Sequence, residues 1–99
     1  MTIIKKYVEA IEDEICGAKE YAEKAIEAKA RGDISLATRY KEMSNDELKH
    51  AMYIHELAVR EIAKISEVYT PPVEMQEKWD KSHKKYVEEV ALIKQMLEM

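Results

Sequence analysis

Apolar residues recur at steps of three and four along almost the whole chain, which is the spacing of one face of an α-helix. Two short stretches interrupt the pattern, RGD at residues 31–33 and YTPP at residues 69–72. Gly32 is typical of a helix end and Asp33 of a helix start, so the first interruption predicts a tight turn. Short connections make consecutive helices antiparallel neighbours. The pattern therefore predicts three helices, over residues 2–31, 33–68 and 71–98.

Each predicted helix carries one apolar stripe with ionisable residues in it or beside it. The first stripe contains Ile4, Val8, Ile11, Ile15, Ala18, Ala22 and Ala25, with Glu14 at its edge. The second contains Leu36, Tyr40, Met43, Glu47, His50, Ile54 and Leu57, and is broadened by Ala37, Ser44, Ala51, Ala58, Ile62 and Ile65. The third contains Gln76, Trp79, His83, Tyr86, Val90, Ile93 and Leu97. We expect an all-α protein, one antiparallel bundle of three long helices over residues 1–99.

The composition favours a small protein that associates with copies of itself. The chain has 99 residues, a size at which one core is marginal and oligomerisation is common. Its net charge is −4 with acidic and basic residues interspersed, which disfavours nucleic acid as a partner. The single Cys16 cannot form an internal disulfide, and the longest apolar run is far too short to cross a membrane. We expect a cytoplasmic protein with no membrane partner.

Glu47 and His50 form a Glu-x-x-His pair on the second predicted helix. The spacing alone is weak support for a metal site, because a solvated Glu beside a hydrogen-bonded core His gives the same pattern. The position of Glu47 in the apolar stripe strengthens the case for a metal site, since an unpaired carboxylate costs several kcal/mol to bury there. Glu14 lies about 18 residues before the first turn and Glu47 about 14 after it, which places them within about 6 Å along the bundle axis. All three side chains can therefore meet.

These three residues amount to half of a two-metal site. A two-iron site in a four-helix bundle uses a Glu from each of two helices and a Glu-x-x-His from each of the other two. Two copies of this chain would supply four carboxylates and two imidazoles, whose negative charge two divalent cations would neutralise. Such ligands suit iron or manganese, and zinc also binds them. Gly17 is predicted either to leave room for a small ligand or to allow close helix contact.

Further spacings resemble the rubrerythrins, a family of the ferritin-like superfamily. Members have a Glu, a Tyr seven residues later, a Lys-x-x-Gly helix end, and a Glu-x-x-His thirty-three residues after the first Glu. The matching residues here are Glu14, Tyr21, Lys29, Gly32, Glu47 and His50, followed by Ala51. The resemblance covers about residues 4–62. It implies a ferritin-like fold in which Glu14, Glu47 and His50 bind iron, with Glu47 able to bridge two ions.

Two departures qualify what this resemblance implies. Complete members have a second helix pair with its own ligands, and rubrerythrins add a cysteine-rich electron-transfer domain; neither occurs in these 99 residues. A two-helix half is instead similar to the encapsulated ferritins, whose site is assembled between two subunits. The implied activity is ferroxidase-type oxidation of Fe(II) by oxygen or peroxide, in a homodimer or larger even-numbered oligomer. Peroxide reductase turnover is not expected, because there is no built-in reductant.

The third predicted helix offers weaker ligand candidates. Asp80 and His83 resemble a shortened Glu-x-x-His, and Glu89 lies on the flank of the inward face. At 1.5 Å per residue, His83 is about 10 Å out of level with His50, whereas Glu89 matches that level better. We therefore prefer a hydrogen-bonded core or interface role for His83 and a solvated one for Glu89.

A metal-free helical scaffold is the alternative to a di-metal protein. The same helices could serve as an interaction module in a larger complex, because a fold does not determine a function. Loss of metal-dependent stabilisation in a Glu47→Ala variant would favour the metal site. An equal response of wild type and variant would favour the scaffold.

Overall fold

The computed structural model describes residues 2–68, 70 and 72–99, and all regular secondary structure in these ranges is helical. Helix α1 spans Thr2–Ala30, α2 spans Ile34–Val68 and α3 spans Val73–Leu97. They lie side by side in an elongated bundle of 56 × 18 × 17 Å. Within the described ranges, no helix combines the length and the apolar character that crossing a membrane requires. The predicted all-α class is confirmed, whereas Tyr69 and Pro71, the predicted first residue of the third helix, lie outside the described residues.

The turn between α1 and α2 forms as the sequence predicts. Gly32 has a φ of 82°, a conformation that glycine adopts without the steric cost of a Cβ. Its N–H donates to the Lys29 carbonyl and the Asp33 N–H donates to the Ala28 carbonyl, both at 2.9 Å, which satisfies the last carbonyls of α1. The Asp33 Oδ1 then accepts the Leu36 N–H at 3.1 Å as the N-cap of α2. This turn makes α1 and α2 an antiparallel pair.

Helices α1 and α2 approach each other through small side chains. All seven residues of the predicted α1 stripe are buried. The buried residues of α2 are Ala37, Ser44, Leu48, Ala51 and Ala58. The predicted centre of the α2 stripe, through Met43, Ile54 and Leu57, is therefore wrong. Alanine and serine one heptad apart let the two backbones come close, and the longer side chains lie on the flank.

Ser44 determines the axial alignment of the two helices. Its side chain is fully buried, and its Oγ donates to the Ala18 carbonyl of α1 at 2.7 Å. A buried hydroxyl without a partner costs free energy, so this bond favours one alignment over its neighbours. Glu47 follows one turn later and lies beside the middle of α1.

Helix α3 covers one flank of the α1–α2 pair. Its residues Met75, Trp79 and Ile93 are buried, and Tyr86, Val90 and Leu97 are partly buried against the same core. Gln76 and His83, predicted within the α3 stripe, are exposed because the buried face is turned towards Met75. The Lys29 Nζ donates to the Met99 carbonyl, so α3 runs parallel to α1.

Candidate metal centre

Glu14 of α1 meets Glu47 and His50 of α2. One ligand atom from each residue lies within 4.8 Å of the other two. The His50 Nδ1 is 3.5 Å from Glu14 Oε2 and 3.9 Å from Glu47 Oε1. Among the residues that the structure describes, this is the one group of three or more His, Cys, Asp or Glu with such spacing. The structure thus brings together the three residues that the sequence predicts as metal ligands.

The cluster lies on the flank of the α1–α2 pair opposite α3. The grooves beside α3 are lined by other residues, among them Ile11, Ile15 and Cys16 of α1 and Leu48 and Met52 of α2. At about 100° per residue, the three ligands point away from these grooves. The side chains of Glu14 and Glu47 are 28% and 27% exposed, and that of His50 is 54% exposed. Glu47 and His50 therefore lie at the edge of the buried face of α2 and not at its centre as predicted.

The proximity of the two carboxylates raises the pKa of Glu47. The main cause is a hydrogen bond with Glu14, followed by partial burial and by the negative charge of Glu14. The charge of a protonated His50 acts in the opposite direction. Two neighbouring carboxylates repel each other when both are charged, and an opposite charge between them relieves the repulsion. A divalent cation at this position would favour the charged form of Glu47.

The donor set fits a divalent metal ion. Carboxylate and imidazole without thiolate suit iron and manganese, and zinc also binds these groups. The three ligand atoms already lie within 4.8 Å of one another, so small side-chain rotations would direct them to a common point. One copy provides three donors, and water or a second copy of the chain must complete an octahedral shell.

Gly17 provides the space for the Glu47 side chain. A Cβ at this position would lie 3.1 Å from Glu47 Oε2 and 3.6 Å from its Cδ, and the first distance is tighter than the optimum for two non-bonded atoms. The sequence left two interpretations of this glycine, room for a small ligand or close helix contact. The structure places the Glu47 carboxylate in that room. Gly17 is therefore a positioning residue for the candidate ligand.

We expect Gly17→Ala to weaken metal binding without unfolding the protein. The added methyl group would displace the Glu47 carboxylate, whereas alanine in a helix interior is favoured over glycine by about 1 kcal/mol. Thermal unfolding should show an unchanged or higher melting temperature without metal and a smaller rise on addition of Mn(II). An equal Mn(II) response in wild type and variant would show that Glu47 does not need this space.

Asp80, His83 and Glu89 do not join the cluster. The Asp80 Oδ1 accepts a hydrogen bond from Gln76 Nε2 at 3.0 Å. The Oε1 of Glu89 lies 3.9 Å from the Nζ of Lys85 on the same helix. The Nδ1 of His83 is 2.9 Å from the Nε2 of His55. His83 is thus hydrogen-bonded as the sequence predicts, but it is exposed and does not lie in the core. Glu89 is partly exposed.

His55 is a candidate functional residue that was not predicted from the sequence. Its ring centroid lies 5.4 Å from that of Trp79, 4.9 Å from that of His83 and 5.1 Å from that of Tyr86. Burial lowers the pKa of His55, as does the positive charge of a protonated His83, whereas Glu56 acts in the opposite direction. The sequence feature that could have indicated His55 is the run of three rings along α3, Trp79, His83 and Tyr86. Such a run needs a facing side chain on another helix.

Stability should fall as the pH falls through about 6.5, the ordinary pKa of histidine. Because the pKa of His55 is lowered in the folded protein, the unfolded chain takes up the proton first, and folding loses stability in that range. Urea unfolding at about pH 7.5 and about pH 5.5 should show a smaller pH-dependent loss for His55→Gln than for wild type. An identical loss in both proteins would mean that His55 titrates alike in the folded and unfolded states.

Comparisons with known proteins assign no family to the chain. No protein-family model, curated protein or solved structure matches it. Function must therefore be inferred from the residues and their geometry.

Proposed function

We propose that this protein is a di-metal carboxylate protein that uses iron and forms its site between two copies of the chain. The convergence of Glu14, Glu47 and His50 within 4.8 Å is the observation that carries the proposal. The sequence resemblance to the ferritin-like superfamily supports the same ligands, iron as the metal, and oxidation of Fe(II) as the activity.

A second copy related by a two-fold axis would complete the site. Pairing the ligand flanks of two α1–α2 pairs gives a four-helix arrangement with a Glu from each α1 and a Glu-x-x-His from each α2, the ligand set of two-iron bundles. The position of α3 supports this arrangement, because α3 covers the opposite flank and leaves the ligands accessible. Four carboxylates and two divalent cations have no net charge, which reduces the cost of enclosing them.

The ligand flank also carries apolar surface that a second copy would cover. Tyr7, Tyr21, Tyr40, Met43 and Ile54 are partly exposed there, and Leu57 is 48% exposed. Aromatic and apolar side chains such as these are typical of protein interfaces. Covering them would exclude water from the metal ligands and strengthen the charge interactions among them.

The residues of the proposed site have separate roles. Fe(II) bound there would supply the electrons, being oxidised to Fe(III) while oxygen or peroxide is reduced. Glu47, the bridging ligand by resemblance, is held between Gly17 and Glu14, while His50 supplies a nitrogen donor at the more exposed edge. Because the pKa of Glu47 is raised, protons compete with the metal for this carboxylate at acidic pH, and the affinity should increase with pH.

An anaerobic Fe(II) titration with the oligomer mass measured on the same sample tests the proposal. We expect one Fe(II) per chain in a dimer or larger even-numbered oligomer. Two ions per chain would bring Asp80, His83 or Glu89 into a centre within one chain, and no binding would favour the metal-free scaffold. Glu14→Gln should abolish binding. Glu23→Gln, which removes the same charge from an exposed position of α1, should not.

A further inference from the structure

His55 of α2 and His83 of α3 present two imidazole nitrogens to each other. The Nε2 of His55 and the Nδ1 of His83 are 2.9 Å apart. In this hydrogen bond one nitrogen carries the proton and the other accepts it. The pair lies outside the carboxylate cluster and plays no part in the function proposed above.

Aromatic rings stack against the two imidazoles. Tyr86 stacks on His55 with an angle of 10° between the ring planes. Trp79 stacks on His55 at 27° and on His83 at 21°. Partial burial lowers the pKa of His55, so this ring is neutral at neutral pH, the form that binds metals. His83 is exposed, which leaves one side of the pair open to water and to ions.

We propose that His55 and His83 form a second metal site, which takes Cu(II) or Ni(II) and joins α2 to α3. Imidazole nitrogens bind first-row metal ions at about 2.0–2.1 Å. At that bond length, nitrogens separated by 2.9 Å subtend about 90° at the ion. This is the cis angle of square-planar and octahedral shells, which Cu(II) and Ni(II) prefer, and it is narrower than the tetrahedral angle of zinc. Water on the exposed side would complete the shell.

The proton balance of binding follows from the hydrogen bond between the rings. In the neutral pair, the ring that donates must change tautomer, losing its proton at the facing nitrogen and gaining one at its other nitrogen. No net proton is released. Because hydrogen-bonded nitrogens point at each other, both rings must then turn towards the ion before their lone pairs can bind it. If the pair carries an additional proton, binding releases it, so the affinity should fall at acidic pH.

The single tryptophan provides a direct readout of this site. Trp79 is the one Trp of the 99 residues, and its ring centroid lies 5.4 Å from that of His55 and 6.4 Å from that of His83. Cu(II) bound between the two histidines would therefore quench the indole fluorescence. Titrating Cu(II) into Glu47→Gln protein removes competition from the carboxylate cluster. We expect saturable quenching with one ion per chain.

His83→Gln in the same Glu47→Gln background should weaken Cu(II) binding at least about tenfold, since one of two protein ligands is gone. Because His83 is exposed, the helical circular dichroism spectrum should be unchanged. Lys84→Gln, at the neighbouring exposed position, is the matched control and should bind like its parent. Equal quenching with and without His83, or quenching that Glu47→Gln abolishes, would overturn the proposal. An Fe(II) titration of His83→Gln protein that retains Glu47 tests the carboxylate cluster separately, so the two proposals can fail independently.

Discussion

Glu47→Gln is expected to abolish the stabilisation of the protein by Mn(II). The substitution retains the shape of the side chain but removes the charge of the carboxylate that contacts Glu14 and lies beside His50. A ligand present at about 100 times its Kd stabilises the folded state by about 2.7 kcal/mol, which corresponds to a rise of roughly 10 °C or more in a domain of this size. Thermal unfolding should show that rise in wild type and almost none in the variant.

Without metal, the same substitution should raise the stability at neutral pH. The pKa of Glu47 in the folded protein is raised from 4.5, so the unfolded chain gives up this proton at a lower pH than the folded protein. Stability is therefore lost as the pH rises from the unfolded value through the raised one. Glutamine removes this loss. The melting temperature in the presence of a chelator should be higher for Glu47→Gln than for wild type.

Opposite effects with and without metal distinguish a metal site from a general change in surface charge. Glu23→Gln makes the same change in net charge at an exposed position and should alter neither melting temperature appreciably. If Mn(II) raised the melting temperature of wild type and Glu47→Gln equally, the ion would bind elsewhere and the metal-free scaffold would be favoured.

The α1–α2 hairpin and the level of its ligands can be predicted from the sequence because both depend on local geometry. Gly32 and Asp33 end one helix and start the next through backbone conformation and capping, which are properties of those residues alone. Helices have a constant rise, so counting from the turn is enough to bring Glu14 level with Glu47. This is why the candidate ligands could be predicted before any tertiary contact was known.

The rotation of α2 about its own axis could not be predicted in the same way. Leu57 and Met43 are more apolar than Ala51 or Ser44, and a hydrophobic stripe drawn by residue type favours the larger side chains. Helix packing also depends on how closely two backbones can approach, and small residues on both helices decide that. The candidate ligands consequently lie at an open edge of the α1–α2 pair, accessible from outside one copy of the chain.

The contact between His55 and His83 depends on which flank of the α1–α2 pair α3 packs against. Local sequence patterns do not specify this. The sequence pattern of α3 does not indicate which flank of the α1–α2 pair it covers. Its aromatic run shows that it needs a partner surface but does not identify that surface. Only the observed docking brings the rings of α3 to His55 at centroid distances of 4.9–5.4 Å.

Leu57→Glu is expected to prevent two copies from associating through the ligand flank. Leu57 lies one heptad after His50, on the side of α2 that faces away from α3. In a two-fold interface each copy contributes one substituted residue, so two unpaired carboxylates would be buried, each at a cost of several kcal/mol. We expect the dimer dissociation constant to increase at least about 100-fold. Sedimentation at micromolar protein with Mn(II) present should show a monomer.

Leu92→Glu is the matched control for this experiment. Leu92 is 47% exposed on α3 and Leu57 is 48% exposed on α2, so the two substitutions place the same charge at equally exposed leucines. Leu92→Glu should remain dimeric and bind one Mn(II) per chain. Leu57→Glu should lose both properties although it retains Glu14, Glu47 and His50, because the three donors of one copy do not fill a metal shell by themselves. A dimeric Leu57→Glu protein with one Mn(II) per chain would show that the interface lies elsewhere. Loss of metal binding in a folded monomer would show that metal binding requires the second copy.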